Sequence, residues 1–168
     1  GMESTSSTGY GVAKYDNEAI PEGFRSQSGK NYTHAPLFWL SVIYLNYAEA
    51  CAELGNITQD DLDKSINLLK DRAGLPHLNP IVGFSDPANN HGVSDLIWEI
   101  RRERRCELMF DNDNRYWDLI RWHQLDKLDT TKYPDIILGA NVANDMDGCE
   151  ANKVGKYIDC LLYTSDAA

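Results

Sequence analysis

Residues 100–122, IRRERRCELMFDNDNRYWDLIRW, decide the fold. Apolar residues recur at helical spacing among the charged ones here, and Ser94 is placed to cap the helix that carries them. The apolar residues of this helix, which begins before residue 100, are Leu96, Ile97, Ile100, Leu108 and Met109. The polar run 111–114 predicts a turn, and the helix after it is apolar on most sides, so we expect it to be buried on several. Its apolar residues are Tyr116, Trp117, Leu119, Ile120 and Trp122.

A pair of shorter helices is predicted upstream, at 37–54 and 58–73. The first has apolar residues spaced by threes and fours, which predicts one buried face made of Leu37, Leu40, Tyr44, Tyr47, Cys51 and Leu54. Gly55 supplies a left-handed stop, and Thr58 with Asp61 caps the second helix. The second buried stripe is Leu62, Ile66, Leu69 and Ala73, ending before Gly74 and Pro76. Two helices joined so tightly are expected to pack antiparallel, close to the length of one tetratricopeptide unit.

The rest of the chain has no sustained period and predicts loops. The expected organisation is a loop-rich segment at 1–36 with a short strand near Gly11–Tyr15, a helical region at 37–128 containing four helices, and a loop-rich segment at 129–159. Residues 160–168, CLLYTSDAA, resemble a translated sequencing adaptor and are expected to be a scar. The predicted fold class is therefore all-α, made of tetratricopeptide-like helical hairpins with irregular ends.

Composition excludes several functions. The 168 residues carry a net charge of −10 and a pI near 4.7, which disfavours nucleic acid as a partner. The four cysteines form no C-x-x-C pair, so no zinc or redox motif is present. No run of about twenty apolar residues predicts a transmembrane helix.

Three stretches together resemble the SusD/RagB family. They are YLNYAEA at 44–50, INLLKDRAGLP at 66–76 and the run at 100–122, in the family's order and spacing. The resemblance implies a tetratricopeptide-containing, non-catalytic lipoprotein on the outer-membrane surface of Bacteroidota-type bacteria. Such a protein binds oligosaccharides, or in some members peptides, for import through a SusC-like TonB-dependent transporter. The lipid anchor and the family's closing motifs are missing, so the chain is expected to be a carboxy-terminal fragment, and no ligand-binding residue is carried over.

The acids of this run could suggest glycoside hydrolysis, which needs two carboxyl groups on either side of a sugar. They are Glu99, Glu103, Glu107, Asp111 and Asp113. Arginines lie between them at 101, 102, 104 and 105, so ion pairing is favoured and no catalytic residue is predicted. The expected structural network is Glu103, Arg104, Glu107 and Arg115. Arg104 should be held by acids, and Glu103 and Glu107 by Arg101, Arg115 or Arg121.

Other candidate sites are weaker. The acidic runs at 111–114 and 145–148 lack the Gly and Glu spacing of a calcium loop, although incidental cation binding by Asp145 and Asp147 stays open. The four histidines, His34, His77, His91 and His123, have no metal-binding spacing, so neither a metal nor a cofactor is expected.

Four tryptophans could stack on sugars. Trp117 and Trp122 are expected to fill the core, while the roles of Trp39 and Trp98 stay open. The helix pairs alone would also permit an alternative function, that of an intracellular tetratricopeptide adaptor for peptides.

Overall fold

The computed structural model describes residues 8–14, 16–25, 27–34, 36–111, 114–142 and 153–160. These residues fall into two compact units, and each is described by itself. The helical unit is Pro36–Arg121, and the sheet unit combines Gly1–Ala35 with Trp122–Ala168. Of the adaptor-like tail only Cys160 is described, and the acidic run at 145–148 lies outside the described residues.

The helices are α1 Glu22–Arg25, α2 Leu40–Glu53, α3 Gln59–Asp63, α4 Ile66–Ala73, α5 Asp95–Glu107 and α6 Asn114–Arg121. The strands are β1 Leu138–Asn141, β2 Lys153–Val154 and β3 Tyr157–Asp159. Two 3₁₀ turns, Leu125–Leu128 and Pro134–Ile137, precede the sheet. The mainly helical fold that the sequence predicts is confirmed, and the three strands were missed.

One apolar core joins α2 to α4 and α5 within the helical unit. Its buried members are Leu45, Ala48, Leu62, Ile66, Leu69, Leu78, Ile100 and Leu108. They come from α2, α3, α4, the loop after α4 and α5 with the residue that ends it, so each of these four helices buries its apolar residues against the others.

The buried face of α2 is not the one that its large apolar residues predict. Leu40 and Leu54 are mostly exposed, and the residues that face inward are Ser41, Leu45, Ala48 and Glu49. Small side chains let α2 approach its neighbours closely, and Glu49 turns inward because basic side chains meet it there. The predicted face was therefore wrong for Leu40, Tyr47 and Leu54, whereas Tyr44 does pack against the core.

The second predicted helix is two helices, α3 and α4, separated at Lys64 and Ser65. The Ser65 backbone has φ −133° and ψ −100°, and its hydroxyl donates to the Asp61 carbonyl. Such a side-chain bond competes with the helical pattern and favours the break. The predicted carboxy-terminal ends of α2 and α4 are confirmed, because Gly55 and Gly74 both have left-handed φ values, at 71° and 66°.

The start of α3 is a capping box. Thr58 Oγ1 accepts from the Asp61 amide at 3.2 Å, and an Asp61 carboxylate oxygen accepts from the Thr58 amide at 3.0 Å. Tyr47 also donates to Asp61 at 2.6 Å, and Lys64 lies 2.9 Å from the carboxylate. The hydrogen bonds from Thr58, Tyr47 and Lys64 hold the pKa of Asp61 well below its usual range. The charged form of Asp61 therefore ties α2 to the start of α3.

Asn67 fastens the loop after α4. Its side chain is fully buried; its amide nitrogen donates to the Leu78 carbonyl at 3.0 Å, and its amide oxygen accepts from the Leu78 N–H at 2.8 Å. These two bonds satisfy backbone groups that burial removes from water. The loop is thereby held so that Leu78 enters the core.

Helices α5 and α6 begin where the sequence predicts, but some of the apolar residues that were expected to be buried are exposed. Ser94 Oγ accepts from the Ile97 amide and caps α5. Met109 is half exposed, and α6 buries only Asp118 and Leu119. The expectation that α6 is buried on several sides was wrong, because charged partners occupy the inward side of this helix.

The sheet unit holds three antiparallel strands in the order β1-β3-β2. On the other side of β1, the Ala140 amide donates to the Thr8 carbonyl at 2.8 Å, which brings the amino-terminal segment against the strand. Gly139 makes this approach possible, since a Cβ there would lie 2.5 Å from the Thr8 oxygen. The predicted strand near Gly11 is wrong for residues 11–14, and Tyr15 is not among the described residues.

Replacing Gly139 by Ala should weaken the contact between β1 and Thr8, because the added methyl group would collide with backbone that cannot move away. We expect a loss of about 1–3 kcal/mol, as for an overpacked site, and faster hydrogen exchange at the Ala140 amide. Gly11→Ala is the matched control, since a Cβ at Gly11 meets nothing within 4 Å. Equal exchange rates in Gly139→Ala and in the parent would contradict this packing.

Asp61→Asn should lower stability at pH 7, and the deficit should shrink in acid. Because the folded state lowers the pKa of Asp61, its stabilisation is complete above the ordinary aspartate pKa of about 4 and fades as the pH falls through the lower folded value. Urea unfolding at pH 7, 5 and 3 measures the difference from the parent. Asp60→Asn, which leaves the capping box intact, should show little deficit, and a deficit for Asp61→Asn that is unchanged at pH 3 would refute the assignment.

Candidate functional site

A buried ion pair lies at the centre of the helical unit. Arg104 Nε on α5 donates to an Asp118 carboxylate oxygen on α6 at 2.6 Å, and Arg104 Nη1 donates to the Asn46 side-chain oxygen on α2 at 2.8 Å. The Arg104 and Asp118 side chains are only 6% and 5% exposed. One guanidinium therefore joins three helices in a place with little water.

A second set of pairs extends this contact. Arg121 makes a two-bond contact with Glu49, at 2.6 and 3.1 Å, and its Nε donates to the other Asp118 oxygen at 2.9 Å. Arg101 lies 3.4 Å from Glu49 and 3.1 Å from Glu53. We call these residues the clasp: Asn46, Glu49, Glu53, Arg101, Arg104, Asp118 and Arg121. Three acids face three arginines, so the clasp carries no net charge.

The protonation state of Arg121 agrees with this geometry. Burial disfavours its charged form, but the hydrogen bonds to Glu49 and Asp118 outweigh burial, and its pKa is raised. The guanidinium therefore stays charged.

Spacing along each helix makes the clasp possible. Asn46 and Glu49 are three residues apart on α2, Arg101 and Arg104 on α5, and Asp118 and Arg121 on α6, so each pair lies on one side of its helix. Asn46 meets Arg104 while Glu49 meets Arg101, so residue numbers rise along α2 as they fall along α5. The two helices are therefore antiparallel.

The other two acids of the predicted network face α4. Glu103 lies 3.0 Å from Lys70, with both side chains largely buried, and Glu107 pairs with the exposed Arg72. The expected partner of Glu103 was Arg101, Arg115 or Arg121, and that expectation was wrong. Sequence proximity favours the next helix, whereas the fold brings α4 alongside α5.

Arg115, the fourth member of the predicted network, lies half-buried in the first turn of α6. Burial, and then the positive charge of Arg105, lower the pKa of Arg115, while Asp118 acts in the opposite direction. Two arginines of the helical unit therefore lie close enough to repel each other.

The tryptophans differ in their surroundings. Trp117 is 62% exposed, so its predicted place in the core was wrong, and Trp122 is half-buried. Trp98 donates to Asp86 at 3.1 Å, which anchors the loop before α5, and Trp39 precedes the first turn of α2.

Metal-binding side chains are not clustered in the described ranges. No group of three or more His, Cys, Asp or Glu side chains there is placed to hold a metal ion. His77 lies between two acids, 2.6 Å from Asp71 and 3.6 Å from Asp63, but it meets them through different ring nitrogens. Asp145 and Asp147 lie outside the described residues.

Comparison with protein families supplies the identification. The family model described as the SusD family matches residues 2–158, nearly the whole chain. The chain belongs to the SusD family. No curated protein and no solved structure matched it.

SusD-family proteins bind nutrients, glycans among them, and are not enzymes. They are typically surface lipoproteins of the outer membrane. Within the described ranges of this SusD-family chain, no helix has the length and apolar character needed to span a membrane. Nutrient binding is therefore the general function that membership supports.

Four clasp residues were missing from the sequence-based network: Asn46, Glu49, Glu53 and Asp118. A signal for them was present in YLNYAEA at 44–50, where polar residues three apart interrupt an apolar helix. Matching that spacing to the arginines three apart on α5 would have suggested the pairing. The sequence analysis predicted the buried face of α2 from its large apolar residues, and so it did not consider these polar ones.

Arg104→Ala should strongly destabilise the helical unit, because it leaves Asp118 buried beside a single remaining partner. We expect a loss of about 3–5 kcal/mol in urea unfolding, the range for breaking a buried pair. Arg72→Ala removes a partner that is 62% exposed and should change stability by only about 0–1 kcal/mol.

Ligand affinity, measured by calorimetric titration, separates a structural clasp from a binding site. A folded Arg104→Ala variant should bind as the parent does. A large affinity loss at unchanged stability would show that the clasp contacts the ligand.

Proposed function

We propose that this chain is part of a cell-surface protein that captures glycans and passes them to a SusC-like TonB-dependent transporter. The observation that carries the proposal is the SusD family match over residues 2–158. The protein would be held at the outer membrane by a lipid anchor, with an oligosaccharide as ligand and a peptide as the alternative.

A binding role without catalysis is supported by the state of the acids. A glycosidase needs one carboxyl group that stays protonated and a second one across the sugar. Glu103, Glu107 and Asp118 instead contact Lys70, Arg72 and Arg104. Each of these carboxylates is therefore already bound to a cationic side chain of the helical unit.

The structure of the helical unit also suits a protein that presents a binding surface. Its helices are joined by directional ion pairs as well as by an apolar core, which holds their outward faces in defined positions. An intracellular peptide-binding adaptor would use similar helix pairs. The two functions differ in compartment and partner, so the complete gene product decides between them.

The complete protein should bind an oligosaccharide and return it unchanged. We expect saturable binding in calorimetric titrations against a panel of plant and host glycans, and no shorter products by chromatography after a long incubation. Turnover that Glu103→Gln abolishes would overturn the non-catalytic assignment. Matched Asp60→Gln, an exposed carboxylate outside the network, controls for nonspecific effects.

The partner can be tested in the native cells. A tagged complete protein, extracted in mild detergent, should retain one TonB-dependent transporter in about equal amount, as expected for a stable two-protein assembly. Recovery from the soluble cytoplasmic fraction, with a peptide-bearing protein bound, would favour the adaptor instead.

A further inference from the structure

One histidine connects the loop after α4 to the ends of two helices. His77 Nε2 lies 2.6 Å from an Asp71 carboxylate oxygen on α4, and His77 Nδ1 lies 3.6 Å from an Asp63 carboxylate oxygen at the end of α3. All three side chains are partly exposed to solvent. The imidazole ring therefore bridges α3 and α4 from a loop that belongs to neither.

The charge of this ring decides whether both contacts are favourable. A neutral histidine carries a proton on only one ring nitrogen, and its other nitrogen is an acceptor. If Nε2 of His77 holds the proton and donates to Asp71, the bare Nδ1 faces the carboxylate of Asp63 with no proton between them. The doubly protonated ring directs an N–H group toward each acid, and histidine takes up this second proton between about pH 8 and pH 5.

In the described part of the chain, no lysine or arginine pairs with Asp63 or Asp71. The basic residues next to them in sequence contact other acids. Those pairs are Lys64 with Asp60 and Asp61, Lys70 with Glu103, and Arg72 with Glu107. A positive charge on the ring of His77 is therefore attracted by an acid from α3 and by another from α4.

Asp63 links this ring to the part of the loop that enters the core. Its Oδ1 accepts from Asn67 Nδ2 at 2.7 Å and from Gln59 Nε2 at 2.8 Å, and these bonds lower the pKa of Asp63. The same two amide nitrogens donate to the Leu78 carbonyl, at 3.0 and 3.1 Å. Asp63 therefore stays charged at neutral pH, and it shares its donors with the residue that follows His77.

Beyond Leu78 the same loop presents two large apolar side chains to solvent. Ile81 is 88% exposed and Phe84 is 56% exposed. The far end of the loop is fixed to α5, where Ser85 Oγ donates to an Asp95 carboxylate oxygen at 2.8 Å. That contact contains no histidine, so a change in the charge of the ring acts on the near end of the loop.

We propose that His77 is a pH-dependent latch, which fastens the loop of residues 75–94 to α3 and α4 when its ring is charged. Because the folded loop attracts the charged ring, the fastening is complete below about pH 6 and fades as the pH rises toward 8. The loop is then held less firmly, and with it Ile81 and Phe84. The three groups of the latch are partly exposed, so it adjusts the loop without controlling folding of the helical unit.

Hydrogen exchange at the Leu78 amide tests the latch, because this N–H donates to the Asn67 side chain and opens when the loop opens. Exchange is followed by NMR on the 168-residue chain between pH 5.5 and pH 8, and each rate is divided by the intrinsic rate at that pH. Protection of Leu78 should fall about two- to fivefold over this range, the size of one exposed charge contact. The Leu69 amide in α4 is the internal reference for changes that affect the whole helical unit.

Two variants identify the groups. His77→Gln removes the titrating ring, so its protection at Leu78 should match that of the parent at pH 8 and stay constant with pH. Asp71→Asn removes one of the two attracting charges and should weaken the pH dependence. Asp71 is the better target because Asp63 also accepts from two side-chain amides. His34→Gln, which changes an exposed histidine of the sheet unit, is the matched control and should follow the parent.

Each result supports or overturns the latch. Protection of Leu78 that stays constant from pH 5.5 to pH 8 in the parent would show that the ring does not fasten the loop. The same pH dependence in His77→Gln as in the parent would assign the effect to another group. An unchanged dependence in Asp71→Asn would show that this carboxylate does not hold the ring, which contradicts the geometry proposed. None of these results depends on the ligand, so glycan binding stands or falls separately.

Discussion

The Arg104 guanidinium, buried between three helices, is the constraint on which the helical unit depends. A charge in that position is unfavourable unless partners surround it. Asn46 and Asp118 supply those partners, which brings both α2 and α6 against α5. The second Asp118 oxygen then orients Arg121, and Arg121 orients Glu49. Apolar contacts have no preferred direction, so these ion pairs define an arrangement that the core alone would leave loose.

Features that depend on neighbours in sequence could be predicted, because their causes lie within a few residues. Gly55 and Gly74 end helices since glycine adopts a left-handed backbone at little cost, and Thr58 and Ser94 begin them since their side chains accept backbone N–H groups. Family motifs separated by many residues carried the rest of the fold assignment.

Features that depend on distant contacts could not be predicted from periodicity. Ala48 and Glu49 face inward on α2 although neither is a large apolar residue, because a close helix approach and a basic partner decide their burial. Trp117 is exposed although tryptophan usually packs, because Asp118 beside it determines which side of α6 faces inward. The sheet was missed since its strands are only two to four residues long, and β1 uses Gly139 to admit the distant Thr8 backbone.

The pairing of Glu49 with Arg121, 72 positions apart, has a consequence for synthesis of the chain. At 5–20 residues per second, roughly 4–14 seconds separate the appearance of the two side chains at the ribosome. During that interval α2, α3 and α4 can already form their capped hairpin, with Asn67 closing its loop. Until α5 and α6 are synthesised, the side of α2 that will contact them stays in water. That side carries Asn46 and Glu49, whose polar side chains are well solvated. A nascent chain at this stage therefore shows a hydrated face where an all-apolar interface would invite aggregation.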